Sequence, residues 1–543
     1  MTNGTPLKDA SELAYVKRLL GVALIAGTFG VPQVGRADDP LSRVVNGATF
    51  DQFVSQTLRQ YGVPGAVVAI AGPNGPTFIK GYGVRKIGES ATVDENTRFQ
   101  IGSVSKFVAA TAVGTIVDRG EVGWDRPIHS FNPELALAEP YATKWVTLRD
   151  FFAMRSGLPA YGGDILQRYE LSSAQLVKRV RYLAFDHSFR ELYAYSNYGI
   201  FLGQESAAHS VGLSPPELLQ QSIFTPLGMT RSGPSLATLE QDRNYSFAHN
   251  VDGSVMPFEN VNAFSGAGAI VSTGVDIAKW MQMLLARGSY AGKQILKPGT
   301  VDQIFAASMV VGTRGPIPDP NYSAGLGCES YHFLQYRVIE KNGAVNGVRA
   351  IVTLIPEKNV GIAVFANKQL TVFPEAVRAE FLERYLGPSG VDLQAQTRKE
   401  QGAWTGLLDH PKPPADAKPQ GHRLSAYTGT YTSRLYGLLR VSDEGGSLQA
   451  AVGPNGYAGH LVHYSGDAFL LWFDDPDVQP GILTFTFDRD NKVIGINGSA
   501  VVNVLTANYG HFDSCSLRVL CQNVTIYDGS VNALLEGTTG PKR

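Results

Sequence analysis

Near Asp409 the chain changes character. The stretch "DHPKPPADAKPQGH", residues 409–422, is rich in proline and has no apolar periodicity, so it predicts a linker. Upstream of it, segments of helical and strand period alternate. Downstream come only short β-like runs: "YTGTYTS", "GLLRVSD", "SLQAAVG", "HLVHYSG", "AFLLWFDD", "ILTFTFDRD" and "KVIGINGS", each closed by turn residues. Regular strands at that spacing predict a small all-β barrel or sandwich. A chain of 543 residues is also too long for one ordinary domain.

The upstream part has its own order. "VVNGATFDQFVSQTLRQYGVPG" predicts an amphipathic helix ending near Gly62, and "GAVVAIAGPNGPTFIKGYGVR" two strands around a Pro-Asn-Gly turn. The middle, about 125–310, mixes helical stretches such as "LSSAQLVKRVRYLAF" and "STGVDIAKWMQMLLARG" with Gly/Pro loops. Strands return in "VRAIVTLIPEKNVGIAVFAN", and the helix-like "PEAVRAEFLERYLG" follows. Strands flanking a helical middle predict an α+β domain whose sheet joins early and late strands.

Composition removes some functions. The formal net charge is −1, so no surplus of Lys and Arg points to a nucleic-acid partner. The three cysteines make neither a disulfide scaffold nor a zinc spacing. Cys515 and Cys521 could pair in an exported chain or remain thiols; Cys328 predicts a core thiol. At the N-terminus, Lys17 and Arg18 precede "LLGVALIAGTFGV", and small residues follow at Gly35 and Ala37. This pattern predicts a signal peptide over 1–37 and an exported (periplasmic or secreted) protein, with an uncleaved anchor as the alternative. No later segment is long enough to span a membrane.

Three short elements carry candidate chemistry. In "FQIGSVSKFVAATAVGTIVDRGEV", Ser103 and Lys106 lie three apart, on one face of a predicted helix. A helix N-terminus favours developing negative charge. A serine needs a base to become a nucleophile, and a lysine flanked by Val104, Phe107 and Val108 could have a lowered pKa and serve as one. Alone, the pair is a weak signal and reads more readily as a capping serine and a solvated lysine. "YAYSNYGIFLG" contains Tyr195 and Asn197. A tyrosine can shuttle protons, and an asparagine can accept from a lysine while donating to a substrate amide. "EKNGAVNGVRAIVTL" places Lys341, Asn342 and Gly343 at the start of a predicted strand, where a lysine adds positive potential and a glycine permits close backbone approach.

In this order the three elements resemble the serine β-lactamase and penicillin-recognising superfamily. The chain looks most like its class C and D-Ala-D-Ala peptidase/esterase branch, in which Tyr-x-Asn stands where class A enzymes have Ser-Asp-Asn. "VTLRDFFAMRSGLPAY" and "SGAGAIVSTGVDIAKW" read like that family too. The resemblance covers roughly 45–385. Residues 386–420 are expected to be the linker, and 421–543 is similar to a lipocalin-like β-domain.

The resemblance implies an antiparallel sheet flanked by helices and a set of roles. Ser103 would be the acylated nucleophile, and Lys106 and Tyr195 would share general base and acid work. Asn197 would bind the lysine and the substrate amide, and Lys341 and Gly343 would line the substrate strand. The backbone N–H groups of Ser103 and Ala344 would form the oxyanion hole. No metal or organic cofactor is implied. Two departures stand out: Met154-Arg155 replaces a common His-Thr, and Asn342 replaces a common Thr. Arg349 is expected to pack at the sheet rather than hold a carboxylate.

The expected partner is a small-molecule or peptide substrate, and nothing fixes the oligomeric state. D-amino-acid peptides and carboxylic esters rank ahead of β-lactams, because a β-lactamase needs no appended β-domain. A catalytically silent penicillin-binding sensor is the alternative of another class, disfavoured by the intact Ser103, Lys106, Tyr195 and Lys341. No Gly-x-Ser-x-Gly elbow points to an α/β-hydrolase. His460 and His463, three apart on a β-like run, face opposite sides and predict no metal site.

Overall fold

The structure, a computed structural model, describes residues 48–72, 75–405, 412–474 and 480–500, with Leu41, Val44, Tyr527 and Asp528. The expected leader (1–37), the Pro73-Asn74 turn, and Cys515 and Cys521 lie outside the described residues.

Helix α1 (Ala48–Gln60) leads into β1 (Gly65–Gly72) and β2 (Gly75–Gly83). The late strands are β3 (Glu329–Phe333), β4 (Tyr336–Val345), β5 (Val348–Ile355) and β6 (Val360–Ala366). They join the early ones in one antiparallel sheet of order β2-β1-β6-β5-β4-β3, extended by Ser323–Ala324 and Met309–Val310. The closing pair is β1 with β6, in register Ala66↔Ala366 to Ile70↔Ile362.

Strand period explains how the sheet is covered. Along β1, Val67, Ala69 and Ala71 enter one core, while Ala66, Val68 and Ile70 enter the other. The second core is closed by Phe50 and Val54 of α1 and by Phe373, Val377 and Phe381 of the helix Phe373–Leu386. The first holds α2 (Val104–Asp118), buried at every position from Val104 to Ile116. A helix that is apolar all round belongs in a core. Its Phe107 meets Trp280 edge-on at 4.9 Å, and burying such a ring contributes about 1.5–3 kcal/mol.

The stretch expected as a linker is partly folded. Residues Leu393–Thr405 form a helix against Phe373–Leu386; only after it does the proline-rich segment begin. Beyond lie seven strands: β7 (Gly429–Ser433), β8 (Gly437–Glu444), β9 (Ser447–Val452), β10 (Tyr457–Ser465), β11 (Ala468–Phe473), β12 (Gly481–Phe487) and β13 (Val493–Ala500). They pair in sequence order as an antiparallel meander, with Tyr527–Asp528 added beside β7. Their own core gathers Tyr427, Tyr431, Phe469, Phe485 and Ile496. Cys328 is buried in the core that holds α2. Among the described residues no helix is long and apolar enough to cross a membrane.

Candidate active site

Ser103 immediately precedes α2, at the N-cap position, yet its side chain makes no capping bond. Its Oγ instead meets two other groups. Lys106 Nζ, one helical turn on, donates to it at 2.9 Å, and Tyr195 OH lies 2.6 Å away. The hydroxyl is thus held by these two side chains rather than by the helix end.

Lys106 is completely buried. Its Nζ also donates to the Ala267 carbonyl at 2.6 Å and stands 4.9 Å from the Tyr195 ring. Burial first, and then the like charge of Lys341, push its pKa well below the ordinary lysine value; Asp164 and Glu329 oppose them.

Tyr195 precedes the helix α3 (Asn197–His209), which is capped by Ser196 accepting from Gly199 N–H at 2.9 Å. Two loop contacts fix the tyrosine backbone: Ala194 N–H donates to the Met154 carbonyl, and Tyr161 N–H to the Tyr195 carbonyl, both at 2.8 Å. The departure at Met154-Arg155 therefore acts in loop packing. Arg155 and Arg190 both bind the buried Asp150 carboxylate, which also caps the short helix Leu148–Phe152.

Asn197, at the first turn of α3, sits differently from expectation. Its Nδ2 donates to Asp164 Oδ2 at 2.7 Å. The hydrogen bonds of Lys106 go to Ser103 and Ala267, so no bond joins Asn197 to the lysine among the described contacts.

Strand β4 closes the other side. Lys341 is buried, 5.2 Å from the Tyr195 ring, and ion-paired with Glu329 of β3 at 2.6 Å. Gly343, expected to admit a substrate backbone, lets the protein's own chain come close. A Cβ there would lie 2.1 Å from Ile101 O and 2.9 Å from Ser103 N. The reciprocal approach is made by Gly102 at φ +51°, whose Cβ would come within 2.7 Å of Ala344 N. The Ser103 turn and the exposed residue Ala344 are thereby brought together. Arg349 is buried on β5 and ion-paired with Glu375 at 2.5 Å.

Sequence reasoning missed Asp164, Glu329 and Ala267. Asp164 follows a Gly-Gly turn with no motif around it. Glu329 reaches Lys341 only through the β3–β4 pairing, and Ala267 contributes a backbone oxygen that no residue type announces.

Residues 50–386 match the Beta-lactamase family, and residues 412–503 match a domain of unknown function, DUF3471. The chain is 26% identical over 434 residues to an unguisins hydrolase of Aspergillus campestris, covering 74% of this chain and 78% of that one. It is 24% identical over 328 residues to the D-alanyl-D-alanine-carboxypeptidase/endopeptidase AmpH of Escherichia coli, covering 59% and 83%. In structure it resembles the octameric penicillin-binding protein homologue of Pyrococcus abyssi, with a TM-score of 0.56, 18% identity, and 83% and 97% of the two chains covered. The fold is that of the penicillin-recognising enzymes, with an all-β domain appended. The chain belongs to the Beta-lactamase family of serine hydrolases.

Proposed function

We propose that this protein hydrolyses amide or ester bonds through an acyl-Ser103 intermediate. The observation that carries the reading is Ser103 Oγ held between a buried Lys106 and Tyr195 at the start of α2. With its pKa lowered, Lys106 is deprotonated at a pH where an exposed lysine is not. The Ser103 proton passes to the Lys106–Tyr195 pair as Oγ attacks the carbonyl carbon. The resulting oxyanion meets the N–H groups of Ser103 and Ala344. Tyr195 returns a proton to the leaving amine or alcohol, and the acyl–oxygen bond to Ser103 remains. Water, deprotonated by the same pair, attacks that ester and releases the acid. Asn197, Lys341 and the β4 edge bind and orient the substrate.

Two observations support an ester, or a D-amino-acid peptide bond away from a free C-terminus, over a substrate recognised by a terminal carboxylate. The Lys341 charge is opposed by Glu329, and the Arg349 charge by Glu375. Asn342, in place of threonine, also withdraws a hydroxyl from the same strand. Hydrolysis of p-nitrophenyl esters, D-alanyl peptides and nitrocefin by wild type and Ser103→Ala tests the reading. Ester and peptide turnover that disappears in Ser103→Ala is expected. Undiminished turnover in that variant contradicts it.

A further inference from the structure

The all-β domain does not merely follow the catalytic domain; one of its turns enters it. Between β7 and β8, Leu435 is almost wholly buried and belongs to the catalytic core. Its carbonyl accepts from Arg179 Nη1 at 2.5 Å. The turn is stiffened from within, because Ser433 Oγ accepts from the N–H groups of Leu435 and Tyr436 at 3.2 and 3.1 Å. Nearby, Gly453 of the same domain presses on the Tyr169 ring, which also faces Tyr457 at 6.2 Å.

Tyr436 reaches the loop beneath the active site. Its hydroxyl accepts from the Gly163 N–H and lies close enough to Asp164 to feel its charge. Gly163 itself is at φ +77°, and a Cβ there would strike the Tyr198 ring at 2.7 Å, so the turn has little freedom to relax. The next residue is Asp164. One of its oxygens holds Asn197; the other is buried and has no hydrogen-bond partner. A half-satisfied buried carboxylate is costly, and it stays in place only if its surroundings hold it.

We propose that Asp164 is a positioning residue that aims Asn197 at the substrate amide, and that the Tyr436 turn of the all-β domain holds Asp164 in that position. The proposal rests on the acyl-Ser103 reading and adds a role for the appended domain. The geometry connects the two domains through a short chain: Tyr436, Gly163, Asp164, Asn197. Asn197 Nδ2 is committed to Asp164, so its amide plane is set, and its oxygen is directed away from the carboxylate. The charged and titratable groups facing Asp164 are Lys106, Glu259 and Tyr436; Glu259 is in turn paired with Arg168 at 3.0 Å. Burial lifts the Asp164 carboxyl to about 7, against the Asn197 hydrogen bond and Lys106.

The test uses the full-length protein and two p-nitrophenyl esters, the acetate and that of N-acetyl-D-alanine. Only the second offers an amide for Asn197. Asp164→Leu is expected to lower kcat on the N-acetyl-D-alanyl ester at least tenfold and on the acetate less than threefold. Tyr436→Phe, which keeps the ring and removes the acceptor, is expected to lower the first three- to tenfold and spare the second. Asp164→Asn keeps an acceptor oxygen for Asn197; it is expected to restore most of the rate and to flatten the pH dependence near 7. Equal losses on both esters, or losses that follow a fall in melting temperature, would overturn the proposal. So would wild-type rates in Tyr436→Phe and Asp164→Asn together with no change in pH profile. Should Asp164→Leu not fold, the Tyr436→Phe and Asp164→Asn pair decides alone. Fluorophosphonate labelling of Ser103 in the wild type is run alongside. If Ser103 is not labelled, the acyl-serine reading has failed; if it is labelled and the variants behave as wild type, only the positioning role has failed.

Discussion

Gly343 and Ser103 meet through backbone alone: a Cβ on Gly343 would stand 2.9 Å from the Ser103 nitrogen and 2.1 Å from the Ile101 oxygen. The edge of the sheet reaches the N-terminus of α2 only because residue 343 has no side chain. Both neighbours are main-chain atoms, so neither can swing aside. Gly343→Ala is therefore expected to cost about 1–3 kcal/mol in stability, as overpacking does, and to slow Ser103 acylation about 10²-fold, the scale of a misplaced oxyanion donor. Urea unfolding and labelling rates measure the two effects. Acylation at the wild-type rate would show that the approach is not needed for chemistry.

The lowered Lys106 pKa gives the acylation rate an acid limb. The rate is expected to climb as pH rises through the Lys106 titration, because the neutral amine takes the serine proton. Lys341 is the like charge that helps lower it. Lys341→Met removes that repulsion, so Lys106 holds its proton to higher pH and the limb shifts upward. Labelling rates across pH 5 to 10 report it, and a shift to lower pH contradicts the assignment.

The same lowering works against stability. Between the folded and unfolded values, the unfolded chain binds the lysine proton and the folded chain does not. Stability therefore falls as pH drops through that window. Lys106→Met is expected to unfold at higher temperature than wild type under mildly acidic conditions while losing about 10²–10⁴-fold in activity. Scanning calorimetry at several pH values tests this.

Asp164 has the opposite sign. Its carboxyl titrates at about 7 in the folded chain and at the ordinary value of 3.8 when unfolded. The folded state binds the extra proton between those values, so stability declines as pH rises across them, and the cost is complete above about 7. Asp164→Asn is expected to raise the melting temperature relative to wild type at pH 8 and to leave it unchanged near pH 4. An advantage confined to acid pH would contradict the burial of this group.

Asp150 binds Arg155, Arg190 and the cap of its own helix at once. Asp150→Ala strips both guanidiniums of their shared partner and removes the cap. A loss of about 3 kcal/mol is expected from broken pairing and lost capping, less than for fully buried partners because both arginines keep some solvent. Activity should fall with it, since the Met154-Arg155 turn tethers the Tyr195 segment. A cost below 1 kcal/mol in urea unfolding would place the support of Tyr195 elsewhere.

Much of this was legible in the residues. Ser103 and Lys106 share a face because three residues nearly complete a helical turn, and the strand pair around Pro356 follows from apolar period and turn chemistry; Lys341, expected to open a strand, lies in the middle of β4. All seven runs of the tail became strands. What stayed hidden depends on pairing across the chain. Glu329 finds Lys341 only once β3 and β4 are in register. Asp164 and Tyr436 lie 272 positions apart (436 − 164), in loops that carry no period. The helix Leu393–Thr405 was missed because "LQAQTRKEQGAWT" has few apolar residues and precedes the proline-rich segment that dominated the reading. The context of Gly343 signals close backbone approach, but not that the protein's own Ile101–Ser103 segment makes one.

The central claim is that Ser103 Oγ is the atom acylated. It is tested most directly by treating the intact protein with a fluorophosphonate probe and mapping the adduct by peptide mass spectrometry. A single adduct on the peptide containing Ser103, absent in Ser103→Ala and slowed in Lys106→Met, is the predicted result. An adduct on another residue that persists in Ser103→Ala, with hydrolytic activity intact, would contradict the account.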